Sequence, residues 1–362
     1  MIKKLVPFVV FIAVVSILYF AFNALRPVKQ GVMAKEIKAA TNVFFPIDMG
    51  GKWGYMNSAG KIVIAPVYDG CDYFYEGLAR IRIGEKFGYI DPSGKIVIPC
   101  VYDEAYPFTN GLALVYTNRA YGYIDHSGKQ AIPAVYERAN SFSEGFAAVC
   151  SNGKWNFIDT GGKVQFTHGF TYIFPLSEGL AAVVSNNLYG YIDILGKTVI
   201  ALRFENAERF SGGFAAVMTG GKFGYIDKSG SLKIPAKYFS AKPFSDGAGL
   251  VHTGEDYAFL DKNGNVLFAS YAGHIEPFSE GKALYSAGGK YGFYSIDLKK
   301  ENGIPDTYET ALSFRFGLAY VRLDGASFYI DHHNNKIKPE PVSQNQKLNL
   351  SPGGKKELPG KK

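Results

Sequence analysis

The residues best suited to chemistry in this 362-residue chain are scattered rather than gathered. Six histidines (His126, His168, His252, His274, His332, His333) fall at unrelated places, with His126, His332 and His333 in turn-like stretches. The chain contains no His-x-x-x-His, no Cys-x-x-Cys, no phosphate-cradling glycine loop and no Gly-x-Ser-x-Gly elbow. Asp261-Lys262-Asn263-Gly264-Asn265 has the opening of an oxygen-rich Ca²⁺ loop but lacks its later acids, and reads as a hairpin turn. The carboxylate pairs Asp103-Glu104 and Glu205 with Glu208 read as solvated loop edges. Cys71, Cys100 and Cys150 are too few and too scattered for a disulfide framework or a metal cage, and read as small buried apolar residues. The expectation is therefore no catalytic residue, no metal and no cofactor.

What the sequence does organise is a repeat. An aromatic–Gly–aromatic triplet is centred on Gly54, Gly88, Gly122, Asn156, Gly190, Gly224, Ala258 and Gly292, each 34 residues after the last. A second marker, an Xaa-Gly box such as Glu144-Gly145, keeps the same step from Gly77 to Gly281. Two markers in phase imply duplicated units that stack into a surface.

Residues 85–118 serve as the type unit. Phe87–Asp91, Lys95–Ile98 and Leu112–Tyr116 read as three strands, from their β-branched and aromatic content. The stretch Tyr102–Gly111 reads as a long connection. An Asp-x-x-Gly turn recurs from Asp91 to Asp261, with Asp capping its own turn and Gly supplying positive φ. Helical hairpins of the same period are rejected, because Gly and Pro leave no stretch long enough for two paired helices. The rings at Tyr68, Tyr102, Tyr136 and at Phe74, Phe108, Phe142 and their equivalents read as glue between units. The apolar runs Ile96–Ile98 and Leu112–Val115 predict sheets covered on both faces. About nine units fit between Val43 and Pro339. They form a propeller-like ring or an open superhelical array, and incomplete pieces at the two ends could complete one another's sheet.

Lys52-Trp53-Gly54-Tyr55, Lys86-Phe87-Gly88-Tyr89-Ile90-Asp91, Lys222–Asp227 and the Phe-Ser-Glu-Gly boxes at 142–145 and 278–281 resemble the WG (KWG) β-repeats of bacterial proteins. The resemblance covers roughly residues 43–338. Trp persists only at Trp53 and Trp155, Asn156 and Ala258 replace Gly, and a two-residue insertion near 297–306 shifts the last unit. The resemblance implies an all-β array with a binding role and no particular reaction.

The net charge of +7 is uneven. Between residues 43 and 340 stand 28 basic and 30 acidic residues, a net charge of −2, so the basicity lies in the flanks. With no basic face on the body, a nucleic-acid partner is not expected. Residues 1–4 form a short basic N-terminus, and Leu5–Leu25 is uncharged and long enough, at roughly 30 Å as a helix, to span a bilayer as an uncleaved anchor. The lysines before it predict a cytoplasmic N-terminus, with the repeats periplasmic or extracellular on a single-pass inner-membrane protein. Residues 26–42 read as a stalk, 43–340 as the repeat domain and 341–362 as a disordered basic tail.

The expected function is a membrane-anchored, non-catalytic scaffold that binds a protein partner or a cell-envelope polymer. Its variable loops would carry recognition, with Asp69, Asp72, Glu137, Arg138, Asn206 and Arg209 as candidate contacts. The rival reading is a cell-envelope hydrolase or other enzyme with a site between repeats, marked by unique polar residues that break the repeat in one place.

Overall fold

The computed structural model describes residues 43–297 and 303–340. These form nine antiparallel sheets, eight of four strands and one of three. The third sheet shows the pattern: Glu104–Ala105, Ala113–Thr117, Ala120–Ile124 and Gln130–Tyr136, in that spatial order. Two expectations are corrected here. The supposed connection contains a fourth, two-residue strand. The structural unit also begins after the terminal strand, so each sheet joins one sequence repeat's third strand to the next repeat's first two.

Local chemistry sets each corner. In the turn after Ala120–Ile124, the Asp125 carboxylate accepts the amides of Ser127 and Lys129 at 2.9 and 3.1 Å, and Gly128 takes φ 82°. The box Glu144-Gly145 places both residues at positive φ (53° and 85°), which closes a tight turn bridged by Ser143 and Phe146.

The glycine of the aromatic triplet answers a different need. Opposite Gly88 the terminal strand Ile96–Tyr102 carries a two-residue bulge, since Phe87 pairs Tyr102 while Tyr89 pairs Ile98. The bulged backbone lies so close that a Cβ on Gly88 would sit 2.5 Å from the Ile98 carbonyl oxygen. Where the glycine is absent the bulge is absent too. Trp155, Asn156 and Phe157 pair His168, Thr167 and Phe166 in unbroken register, and Tyr257, Ala258 and Phe259 do likewise with Ser270, Ala269 and Phe268. The departures at 156 and 258 are thus a second, flatter blade design.

Neighbouring sheets are bonded by rings, as the register implied. Tyr89 meets Phe108 edge-on at 4.9 Å, and the pairs Tyr123–Phe142, Tyr191–Phe210 and Tyr225–Phe244 repeat that contact within 0.1 Å. Each of those tyrosines donates its hydroxyl to a carbonyl 17 residues on, at 2.7 Å. The central strands are buried on both faces, but the terminal strands are not. Ile96 and Val101 are 43% and 55% exposed, so the expectation of sheets covered on both sides holds only away from the edge.

The boxes also link around the molecule. Glu144 accepts the Glu178 and Gly179 amides of the next box, and Glu178 accepts Gly213. Ser143, Ser177, Ser211, Ser245 and Ser279 each donate to a carbonyl of the following unit.

The array closes into a propeller-like ring. Phe45, Ile47, Met56 and Ile62 of the first sheet share one apolar cluster with Leu318 and Tyr329 of the ninth. Tyr329 stacks edge-on against Phe45 at 5.4 Å and donates to the Pro46 carbonyl at 2.7 Å. The end sheets do not complete one another; they close by packing face to face. Tyr73, from an unusually long leading strand (Gly70–Tyr75), fills the same seam under the Arg315 guanidinium. The expected anchor at 5–25, stalk at 26–42, basic tail at 341–362 and part of the insertion near 297–306 lie outside the described residues. Among the described residues no helix is long and apolar enough to cross a membrane.

A candidate binding cleft between the first two blades

The marker residues are consumed by architecture. Gly54, Gly88, Gly122, Gly190, Gly224 and Gly292 all face a bulged strand, with a built Cβ 2.5–2.6 Å from backbone. Trp155 is 1% exposed in the core. Trp53 is the exception, since it lines a cleft of about 250 Å³ with Asp69, Gly70, Cys71, Asp72, Arg80, Ile81, Arg82 and Phe87.

The cleft forms where the first blade hands over to the second. Asp69 ends the link between sheets, and its carboxylate accepts Lys52 Nζ and, at 2.7 Å, the Gly84 amide. The Lys52 ammonium is the chief reason Asp69 titrates below the usual carboxylate range. Arg82 clamps the same link by donating to the carbonyls of Asp69 and Gly84 at 2.8 and 3.1 Å. Arg80 is more deeply set. Its Nε donates to the Asp72 carboxylate at 2.6 Å, Nη1 to the Ala105 carbonyl of the third blade, and its guanidinium stacks 4.9 Å from the Phe87 ring.

Arg80 stands where the other repeats carry Leu114, Ala148, Ala182, Ala216, Leu250, Leu284 and, after the insertion, Tyr320. A guanidinium at an otherwise apolar position is a break in repeat symmetry, and it was readable from the alignment of units. Taken alone, Arg80-Ile81-Arg82 has the alternation of an ordinary surface strand.

Of the six candidate contacts, only Asp69 and Asp72 come together here. Glu137 and Arg138 stand two blades on, in the registers of Asp69 and Gly70, where Glu137 accepts the Gly153 amide at 3.3 Å and Arg138 lies 5.1 Å from the Trp155 ring. Asn206 belongs to the leading strand Asn206–Ala207, followed by Arg209. These positions were expected in loops; Arg138 and Asn206 instead lie in two-residue leading strands, Asp72 in the longer leading strand Gly70–Tyr75, and Asp69 and Glu137 just before such strands.

Burial pushes the Cys71 thiol up to about 12. Its folded value lies above the ordinary thiol range, so the thiol stays protonated through neutral pH and loses its proton only as pH rises toward that value. Native labelling of Cys71 by a maleimide at pH 8 should therefore run at least about 100-fold slower than in the unfolded chain. Mass mapping of the labelled cysteine checks this, and equal rates would refute the burial argument.

Nine small antiparallel sheets bonded face to face in a ring, with their polar variation at the blade junctions, define a propeller-like repeat scaffold. The chain belongs to the WG-containing repeat family, whose profile matches residues 53–87, 87–118, 121–155, 157–189, 189–223, 223–253 and 257–291. No curated protein matches it. Among solved structures it is similar to a eukaryotic initiation factor, at 11% identity and TM-score 0.59 over 82% of this chain and 95% of that one. It also aligns with Kluyveromyces lactis Hsv2 (10% identity, TM-score 0.41, 61% and 89% covered) and with the dihydro-heme d1 dehydrogenase NirN (14%, 0.46, 73% and 73%). At 11% identity the likeness to the initiation factor speaks to fold alone.

Proposed function

We propose that this protein is a non-catalytic scaffold, held at the membrane by residues 5–25, whose ring recruits a protein partner on the outer side of that membrane through the cleft at Arg80. The observation that carries this reading is Arg80 itself. The repeated positions serve turns, bulges and inter-blade packing, whereas Arg80 is a half-buried cation on an apolar register. Trp53 beside it offers an aromatic wall, and Trp and Arg are the residue types that anchor protein interfaces. A cleft of about 250 Å³ suits one inserted side chain, an acidic or aromatic one, rather than a whole substrate. A cell-envelope polymer is the alternative ligand, and an envelope hydrolase the alternative class.

The test is in-cell crosslinking and pull-down with the full chain, its Arg80→Leu variant and a version lacking residues 341–362. Leucine is the residue of three other repeats at this place, so the fold should persist. A protein captured in stoichiometric yield by the wild type and the shortened chain, and reduced at least about tenfold by Arg80→Leu, is expected; a tenfold loss is about 1.4 kcal/mol. Undiminished capture by the variant would overturn the assignment of the cleft. Recovery of wall fragments that depends on residues 341–362 would move the function to the basic tail.

A further inference from the structure

Among the described residues, the terminal strand of every blade has one side unpaired, which is a standing invitation to a further strand. Most are blunted. Two-residue bulges distort the terminal strands of the first, second, third, fifth, sixth and eighth blades, and Pro66, Pro99, Pro133, Pro235 and Pro305 remove a donor from five of these. The ninth blade's terminal strand is only Lys336–Ile337. Two remain, both without that bulge and without proline. Val164–His168 follows Lys163, and its Gln165 is tied back to Asp159 at 3.0 Å. The other, Val266–Ser270 in the seventh blade, has only a one-residue irregularity at its start, where Phe259 pairs Phe268 and Leu260 pairs Val266.

That strand opens an uncharged run, Val266-Leu267-Phe268-Ala269-Ser270-Tyr271-Ala272, free of Pro and Gly. Its inner side is fixed: Phe268 packs on Tyr294 at 4.8 Å, and the Ser270 hydroxyl meets the Tyr294 hydroxyl at 2.8 Å. Its outer side is bare, with Val266 61%, Leu267 47% and Tyr271 88% exposed. Rigid backing with an apolar edge in regular register from Phe268 to Ser270 is what strand addition needs.

We propose that Val266–Ser270 joins two copies of this chain, each strand antiparallel to its own copy, so that two four-stranded blades become one eight-stranded sheet. The self-pairing follows from the strand's own make-up. Antiparallel pairing of a strand with itself closes after two copies. A run without charge sets no like charges opposite one another. Centred on Phe268, it faces Leu267 with Ala269 of the second copy, large against small, while the exposed Tyr271 rings fold over the join. This proposal is independent of the Arg80 cleft.

The test is the mass of the detergent-solubilised full chain by light scattering and sedimentation, with unfolding midpoints alongside. Wild type should be a dimer. Leu267→Lys should weaken it at least about 100-fold, because each lysine then faces Ala269 of the other copy and the two ammoniums sit diagonally across the join, with cooperative unfolding retained since Leu267 is surface-exposed. Val199→Lys, on the bulged edge of the fifth blade, should stay dimeric. A monomeric wild type, a dimer that persists in Leu267→Lys, or equal loss in Val199→Lys would each overturn the proposal.

Discussion

Gly224→Ala lowers the stability of the ring by about 3 kcal/mol or more, whereas Ala258→Gly at the equivalent place costs about 1 kcal/mol or less. The contrast follows from the terminal strands. At Gly224 the bulged strand Leu232–Tyr238 presses its backbone inward, and a Cβ would lie 2.5 Å from the Ile234 carbonyl oxygen and 2.7 Å from the Ala236 amide nitrogen. Those atoms are backbone within a hydrogen-bonded sheet, so relief requires the blade to unpair rather than a side chain to turn. At Ala258 the strand Val266–Ser270, regular opposite it, leaves room, and the methyl is accommodated at 2% exposure. Denaturant midpoints of the two variants against wild type decide it. Equal, small losses would mean the glycine is kept for flexibility rather than close approach.

Phe45→Ala should cost about 3–5 kcal/mol, the range for deleting a buried aromatic ring, and should loosen both ends of the array together. Phe45 is fully buried and carries the closing contact to Tyr329. Hydrogen exchange locates the damage: amides of the ninth blade, almost three hundred residues away in sequence, should lose protection along with those of the first. Damage confined to the first blade would show that the seam contributes little. Tyr329→Phe should be milder, since it keeps the ring and removes only the hydroxyl, which bonds the Pro46 carbonyl and meets Tyr73, about 1 kcal/mol per bond. Tyr225 in an interior blade has a second acceptor in reach, the Leu250 carbonyl at 3.4 Å, beside its main bond to Lys242. Leu250 is the counterpart of Pro46, so among the described residues the seam uses the interior blade's second acceptor as its main one.

The period, the strand-rich unit and the ring glue were legible because each is written many times over, and repetition turns a weak local signal into a firm one. The two-residue leading strands were not legible. Glu104–Ala105 is too short to show any alternation, and its pairing with Tyr116 and Val115 depends on where the box turn folds the chain back. Closure was equally hidden, because the contact of Phe45 with Tyr329 has no local signature. Asn156 and Ala258 were visible as exceptions, but their meaning lay in strands ten residues downstream. The candidate cleft was half legible: Asp69 and Asp72 stood out as variable polar residues, while Arg80 needed comparison at a position assumed to be filler. Glu137 stands in the register of Asp69, Arg138 and Asn206 in that of Gly70 and Arg209 in that of Tyr73, but a ring sends equivalent positions to different points of the circumference.

The route by which the chain enters and leaves the ring has a mechanical consequence. Val43 packs in the closing cluster, and the Glu340 amide donates at 2.8 Å to the carbonyl of Gly60 in the first blade. Both ends of the body therefore depart from one sector. A pull between the flanks loads the seam directly and meets blades one and nine first, so the remaining seven feel no tension until that sector gives way. The ring would yield by peeling, blade after blade, in a sawtooth of small steps rather than one rupture.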